Sequence, residues 1–148
     1  MSVELTLQSK QRKLENWSVS KDALAQEWIE LDNKSKNKYY SQGQIVMCEF
    51  GENLGYEICS WRPVLVISDS WYNKDGQLVV VPLTKNTRSQ ATHYILKKSK
   101  YKFLTFDSCT KTEQIKSVST IRLANVIGEI DQEDLKRVKS RLKTLFGI

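Results

Sequence analysis

Cysteine and long apolar runs are scarce in this chain, and each shortage removes a class of protein. The three cysteines, Cys48, Cys59 and Cys109, are odd in number and lack CxxC spacing, which argues against a disulfide framework and a zinc site. No apolar run approaches the ~20 residues that a membrane span needs, and the first residues lack the apolar core of a signal peptide. We therefore expect no metal, no cofactor, no membrane association and a reducing cytoplasmic location.

What is present describes a folded, basic protein. The 148 residues fit one domain, or one domain with an extension, and are enough to bury a core. Hydrophobic residues make up 40% and charged residues 27%, which is ordinary for a globular protein. The net charge of +6 favours polyanionic partners, nucleic acid first, although many basic proteins bind none.

The sequence pattern changes near residue 41. Before that point there is no glycine or proline, and the apolar spacing is helical. Ser20 is predicted to cap a helix over 20–33, and residues 4–17 form an earlier helix. The apolar residues of the later helix are Ala23, Leu24, Trp28, Ile29 and Leu31. We divide the chain into a helical N-terminal extension, 1–41, and a second domain, 42–148.

The second domain contains short strand-like runs and one helix. "QIVMCEF" alternates, whereas "PVLVIS" and "LVVVPLT" are continuous runs typical of buried strands, separated by the turn residues "NKDG". "THYIL", "DSCTKTEQIKSV" and "STIRLANVIGEI" add strands. Asp131 then caps a helix with an apolar face of Leu135, Val138, Leu142 and Leu145. The order predicts a small, mainly antiparallel β-barrel closed by a C-terminal helix.

An arginine followed by proline stands where a strand should begin. Since Pro63 cannot donate a ladder bond, it suits the first strand residue, and Arg62 would then lie just outside the sheet, at its rim. There its guanidinium can bind a phosphate or form a salt bridge with Glu57. Pairing of the two buried runs would bring Thr84 to the same rim, as part of a phosphate site or only as a turn former.

A basic segment around the only histidine is a further candidate. His93 is either a general base or a structural residue. Lysines and tyrosines surround it in the sequence: Lys85, Lys97, Lys98, Lys100, Lys102, Tyr94 and Tyr101. Such a mixture suits single-stranded nucleic acid, because bases stack on aromatic rings and phosphates meet cations. It is equally typical of a solvated sheet edge.

The order of the motifs is more specific than any one of them. From Gly43 to the C terminus, "GYEICSWRPVLVIS", "VPLT" and "EQIKSVSTIRLANVIGEI" resemble the MazF/PemK family, the toxins of toxin–antitoxin pairs. The resemblance implies a small SH3-like antiparallel β-barrel of the MazF/PemK/CcdB type, usually a homodimer, with a cognate antitoxin. It also implies metal-independent cleavage of single-stranded RNA, in which the 2′-hydroxyl attacks phosphorus and leaves a cyclic phosphate and a 5′-hydroxyl end.

The resemblance also assigns roles to residues. Arg62 matches the family's catalytic arginine, Thr84 its hydroxyl residue after the next strand, and Glu57 the acid of its "GxE" element. We assign RNA binding to Trp61, Lys85, His93, Glu113 and Gln114. Trp61 is either a stacking platform or a cover for the end of the barrel.

Three functions follow, and the retained Arg62 and Thr84 favour the first. It is a sequence-specific endoribonuclease toxin that cleaves mRNA as a dimer. The second is a non-catalytic toxin of the same fold that binds DNA gyrase or another protein. The third is an inactive relative whose residues 1–41 block the groove. Ile58 and Ser60 replace the glutamine and glycine common in relatives, so we expect a different loop shape before Arg62.

Overall fold

Seven short strands pair antiparallel in one sheet, and helices stand at both ends of the chain. The structure is a computed structural model and describes residues 2–148. The strands are β1 (Gln44–Glu49), β2 (Trp61–Val66), β3 (Gln77–Thr84), β4 (Tyr94–Leu96), β5 (Ser108–Thr110), β6 (Lys116–Ser119) and β7 (Leu123–Glu129). The helices are α1 (Val3–Glu30), α2 (Asn33–Lys36) and α3 (Gln132–Phe146).

The strand order is β4-β5-β3-β2-β1-β7, and β6 also pairs with β3. On one side β3 has two partners, one along each half of its length. Gln77–Val80 pair with β6, and Leu83 and Thr84 pair with β5. Pro82, which has no amide hydrogen, lies where the partner changes. The mainly β class, the antiparallel pairing and the flanking helices are confirmed.

Our prediction of a barrel is wrong in one respect, because the sheet does not close on itself within the described residues. Within residues 2–148 the two end strands of the path, β4 and β7, do not pair with each other. β4 and β5 are only three residues long, so they offer few ladder bonds with which to complete a ring. Instead, α3 covers this part of the sheet with Leu135 and Val138, which are buried in a common core with Leu83 and Leu96.

Both faces of the central strands are buried. Side chains alternate between faces, so Val64 and Val66 of β2 join one core cluster and Leu65 joins the other. Val80 of β3 lies with the first set and Val81 with the second. This explains why the sequence shows continuous apolar runs there rather than an alternating pattern.

α1 is one continuous helix of 28 residues, not the two that we predicted. Ser20 lies in its middle, and the N-cap is Ser2, whose side chain accepts a hydrogen bond from the Leu5 amide at 3.2 Å. Serine and valine lower helix propensity only slightly, so the segment around Ser20 does not interrupt the helix. A short helix, α2, capped by Asp32, follows α1.

α1 contacts the sheet along a narrow seam. The half-buried residues of this seam are Lys10, Leu14, Trp17, Leu24, Trp28 and Leu31. Two tryptophans make the closest approach: Trp17 covers Gly51 and Trp28 covers Gly76, where a Cβ atom on either glycine would overlap the indole ring. Ile29, which we placed on the apolar stripe, is 74% exposed.

Within the described residues, this docking does not include the ion pairs that a groove-blocking extension would need. Among residues 2–148, no carboxylate of α1 or its C-terminal flank lies within 4.0 Å of Arg62 or Lys85. α1 is long, but neither it nor another helix within the described residues has the apolar stretch that a bilayer span requires. The division at residue 41 stays a prediction.

A buried carboxylate ties α3 to the sheet. Asp131 caps the helix as predicted, accepting a hydrogen bond from the Asp134 amide at 2.9 Å. Asp134 itself is 5% exposed and accepts from the Tyr94 hydroxyl at 2.5 Å, from the Tyr101 hydroxyl, and from Lys100 Nζ at 2.9 Å. Burial by itself would raise the pKa of Asp134, but these hydrogen bonds hold it below its ordinary value.

Asp134→Asn should therefore lower the free energy of unfolding by about 2 kcal/mol near neutral pH, because charge-assisted bonds are lost. A lowered folded-state pKa gives stability that is present above the unfolded pKa and is lost as pH falls from the unfolded pKa of Asp134 through its lowered folded-state pKa. The difference between wild type and variant should shrink over that range. Urea unfolding at several pH values measures it, with exposed Glu133→Gln as a control. An equal loss at every pH would contradict the electrostatic explanation.

Candidate active site beside strands β2 and β3

Arg62 lies inside the sheet, which corrects our prediction that it stands outside. β2 begins at Trp61, and Arg62 pairs with Cys48 of β1. Pro63 is tolerated within the strand because the ladder between β2 and β3 begins only at Val64, so no bond is lost on that side. The strand therefore fixes the backbone of Arg62, which is half-buried.

One nitrogen of Arg62 is used to orient the side chain. Nε donates a hydrogen bond to the Cys59 carbonyl oxygen at 3.0 Å. Among residues 2–148 no carboxylate lies within 4.0 Å of the guanidinium, so the alternative of a salt bridge with Glu57 is not formed. The exposed Glu57 carboxylate instead accepts from the Leu54 amide at 3.0 Å. A cation without an internal counter-charge is suited to an external anion.

Thr84 ends β3 on the same face as Arg62. The pairing between β2 and β3 joins Val66 to Val80 and ends where Val64 meets Pro82, and Arg62 and Thr84 each lie two residues beyond that last pair. Thr84 Oγ1 accepts from the Asn86 amide at 3.3 Å, so the hydroxyl hydrogen is still available to donate. Both predicted roles, turn former and neighbour of the arginine, are thus compatible with its position.

A tight loop, residues 51–60, precedes the arginine and is closed at its base. The Ser60 amide donates to the Gly51 carbonyl at 2.7 Å, and the Phe50 amide donates to the Ser60 carbonyl at 2.9 Å. Ser60 has a φ of +67°, in the left-handed region that glycine adopts freely and that costs other residues about 1 kcal/mol or more. The serine in place of the expected glycine thus keeps a glycine-like conformation.

Gln114 holds the far side of this loop. Its Oε1 accepts from the Ile58 amide at 3.1 Å, and its Nε2 donates to the Tyr56 carbonyl at 2.8 Å. Glu57 and Gln114 line one cavity of about 460 Å³ together with Glu113. The structure thus brings three of the predicted site residues together around the loop, and it gives Gln114 a loop-holding contact that the sequence did not reveal.

An open cleft of about 700 Å³ continues from the loop. Its lining residues are Tyr56, Asn86, Thr87, Arg88, His93, Lys111, Glu113 and Gln114. The Tyr56 ring is 97% exposed, and Arg88 and Lys111 supply positive charge. Sequence reasoning missed these three because the 51–60 loop, the long loop between β3 and β4 and the turn after β5 meet only in the folded chain.

His93 belongs to the wall of the cleft. It is 7% exposed, with Nε2 2.6 Å from Glu113 Oε2 and Nδ1 3.4 Å from the Arg88 carbonyl oxygen. Both ring nitrogens thus have partners within the chain, which favours the structural alternative.

The other two residues predicted to bind RNA, Lys85 and Trp61, are not among those that line this cleft. Lys85 follows Thr84 and is exposed. Trp61 is 53% exposed, so it does not seal the end of the sheet, and it lines a separate cleft of about 340 Å³ beside α1. The proposed basic face does not form as a unit, because Tyr94 and Tyr101 donate to Asp134 and Lys100 pairs with the same carboxylate.

Residues 41–146 match the family of PemK-like, MazF-like toxins of type II toxin–antitoxin systems. The chain belongs to this family. It is 28% identical over 108 residues to endoribonuclease MazF9 of Mycobacterium tuberculosis, covering 69% of this chain and 92% of that protein. It is 26% identical over 107 residues to the endoribonuclease toxin MazF of Escherichia coli, covering 71% and 92%.

Solved structures show the same fold. MazF from Deinococcus radiodurans superposes with a TM-score of 0.65 at 23% identity, covering 75% of this chain and 99% of that one. A mycobacterial endoribonuclease in complex with its cognate antitoxin gives 0.59 at 22% identity, covering 74% and 96%. α1 precedes the residues that the family match covers.

Two substitutions separate the hydrogen bond of His93 from its packing in the cleft wall. His93→Ala should lower the free energy of unfolding by about 1–3 kcal/mol, because it leaves Glu113 without its donor and opens a gap in the wall. His93→Gln can still donate to Glu113 and should lose less than half as much. Urea unfolding of both variants measures this. Equal losses would show that the hydrogen bond to Glu113 does not stabilise the fold.

Proposed function

We propose that this chain is a toxin-type endoribonuclease that cleaves single-stranded mRNA at short sequence motifs without a metal ion. The observation that carries the proposal is Arg62, a strand-held cation that is oriented by the Cys59 carbonyl and that has no carboxylate within 4.0 Å among residues 2–148. Membership of the MazF-like toxin family and the relatives named endoribonucleases support the same activity.

The proposed reaction uses a nucleophile from the substrate. The RNA 2′-hydroxyl forms a bond to the adjacent phosphorus while the bond to the 5′ oxygen breaks. Arg62 stabilises the doubly charged phosphorane more than the singly charged ground state, which lowers the barrier. Thr84 Oγ1 donates to a non-bridging oxygen. Glu57 accepts the 2′-hydroxyl proton, since it is an exposed carboxylate on the 51–60 loop that precedes Arg62. Water supplies the proton to the leaving 5′ oxygen.

RNA is proposed to run from the 51–60 loop into the adjoining cleft. Tyr56 is an exposed residue on whose ring a base can stack, Arg88 and Lys111 can meet phosphates in the cleft, and Lys85 can do so next to the cleft residue Asn86. Glu113 and His93 form the polar wall, while Gln114 holds the loop. A cognate antitoxin, a homodimeric assembly and a cytoplasmic location complete the proposal, supported by the family and by the relative solved with its antitoxin.

Cleavage should persist in EDTA and leave 5′-hydroxyl ends. The test is to incubate the protein with a long single-stranded transcript in excess EDTA and map the new ends. A kinase should label them without prior phosphatase treatment. A strict requirement for magnesium, or 5′-phosphate products, would contradict the mechanism. Absence of cleavage with binding to DNA gyrase would favour the non-catalytic alternative.

Arg62→Ala should lower the rate of RNA cleavage about a hundredfold or more, because a contact strongest in the transition state is lost. Arg62→Lys should restore little activity, since lysine lacks the planar fork of donors. Thr84→Val should cause a smaller loss. Single-turnover kinetics measure the three rates.

Arg137→Ala is the matched control, because Arg137 is exposed on α3 and pairs with Glu133 of the same helix. It should cleave at the wild-type rate. The thermal midpoint of Arg62→Ala should stay near that of wild type, which separates loss of chemistry from loss of fold. Near-normal turnover by Arg62→Ala would show that the active site has been misplaced.

A further inference from the structure

Trp17 of α1 lies against the first residue of the loop that carries the site. Gly51 has a φ of +71°, and a Cβ atom there would overlap the Trp17 indole. The Gly51 carbonyl also accepts the 2.7 Å bond from the Ser60 amide that closes the loop. The helix α1 thus contacts Gly51, one of the two residues whose hydrogen bond closes the base of the loop; the other is Ser60.

Lys10 makes a second contact between α1 and the same loop. Its Nζ lies 2.5 Å from Glu52 Oε1 and also donates to the Asn53 carbonyl oxygen. Asn53 in turn donates from Nδ2 to the Phe50 carbonyl at 3.1 Å and to the Ile58 carbonyl at 2.7 Å. The helix therefore holds a residue that bridges both sides of the loop.

The loop transmits this restraint to Arg62 by a short path. Ser60 is held in the left-handed conformation, and the preceding Cys59 presents its carbonyl to Arg62 Nε at 3.0 Å. Gln114 holds the opposite side of the loop through Tyr56 and Ile58. The Cys59 carbonyl is thus positioned between two anchors, α1 and the turn after β5.

We propose that α1 is a positioning element for the proposed RNA cleavage: Trp17 and Lys10 hold the 51–60 loop so that the Cys59 carbonyl keeps Arg62 aimed at the scissile phosphate. This inference rests on the proposed function. It assigns catalytic importance to a helix that lies before the family-matched residues, without placing α1 in contact with substrate.

The expected effect is on turnover rather than on binding. A preorganised cation stabilises a transition state because it does not have to reorganise when charge develops, and small displacements of a catalytic group cost large factors in rate. The cleft that would hold the RNA is lined by Tyr56 and residues 86–114, and α1 does not line it. Loss of the α1 contacts should therefore lower kcat and leave KM nearly unchanged.

The chain supplies a matched control within the same helix. Trp28 covers Gly76 as Trp17 covers Gly51, but Gly76 lies at the start of β3, away from the loop. Truncation of either tryptophan should loosen α1 and lower the thermal midpoint. Only truncation of Trp17 should disturb the loop base.

The kinetic test uses the full-length chain and an RNA oligonucleotide that carries the cleavage motif mapped on a long transcript. Trp17→Ala should lower kcat about tenfold or more with KM within about twofold, and Trp17→Phe should restore most of it. Trp28→Ala should stay within about twofold of wild type. Lys10→Met, with exposed Lys21→Met as its control, repeats the comparison with variants that keep both tryptophans.

A second measurement does not depend on RNA. Hydrogen exchange of the Ser60 amide should accelerate in Trp17→Ala and Lys10→Met, but not in Trp28→Ala. If the wild-type protein cleaves no RNA while this exchange pattern is observed, the proposed function is wrong, but α1 is shown to restrain the 51–60 loop. If wild type cleaves and Trp17→Ala matches Trp28→Ala in kcat, the positioning role is overturned. A loss confined to KM would overturn it as well.

Discussion

The antiparallel register of β2 between β1 and β3 is the constraint on which the rest depends. It sets Val64 and Val66 in one core and Leu65 in the other, so a slip by one residue would exchange every side chain between two filled interiors. The same register brings Arg62, two residues before Val64, towards the end of β3. The candidate site thus inherits its geometry from the packing of the core, although its own residues contribute little to that packing.

The 51–60 loop adds the detail that the register cannot supply. A strand specifies where the stem of Arg62 begins, whereas the direction of its guanidinium depends on the Cys59 carbonyl. That carbonyl is set by a left-handed Ser60 and by the bond from Ser60 to Gly51. Contacts from Gln114 on one side and α1 on the other compensate for the strain of this conformation.

Much of the fold was visible in the sequence because local signals agree with tertiary structure there. The buried runs became β2 and β3, and the Asp131 cap and apolar face of α3 were confirmed. The break predicted at Ser20 was wrong because serine is favoured at caps but lowers helix propensity only slightly in an interior position, so a serine alone does not mark a helix end. The open sheet path also escaped prediction, since strand pairing partners are not encoded by periodicity.

The sequence by itself determined the buried strands, the C-terminal helix and the family, because these follow from short-range patterns and motif order, and it predicted the pair Arg62 and Thr84. Only the tertiary structure decided how other residues are used. It turned Tyr94, Tyr101 and Lys100 from a possible RNA face into partners of Asp134, and it brought Lys10 and Trp17 to a loop more than 30 residues away. The physical reason is that side-chain roles depend on which polar and apolar groups meet across distant segments, and chain spacing does not report those encounters.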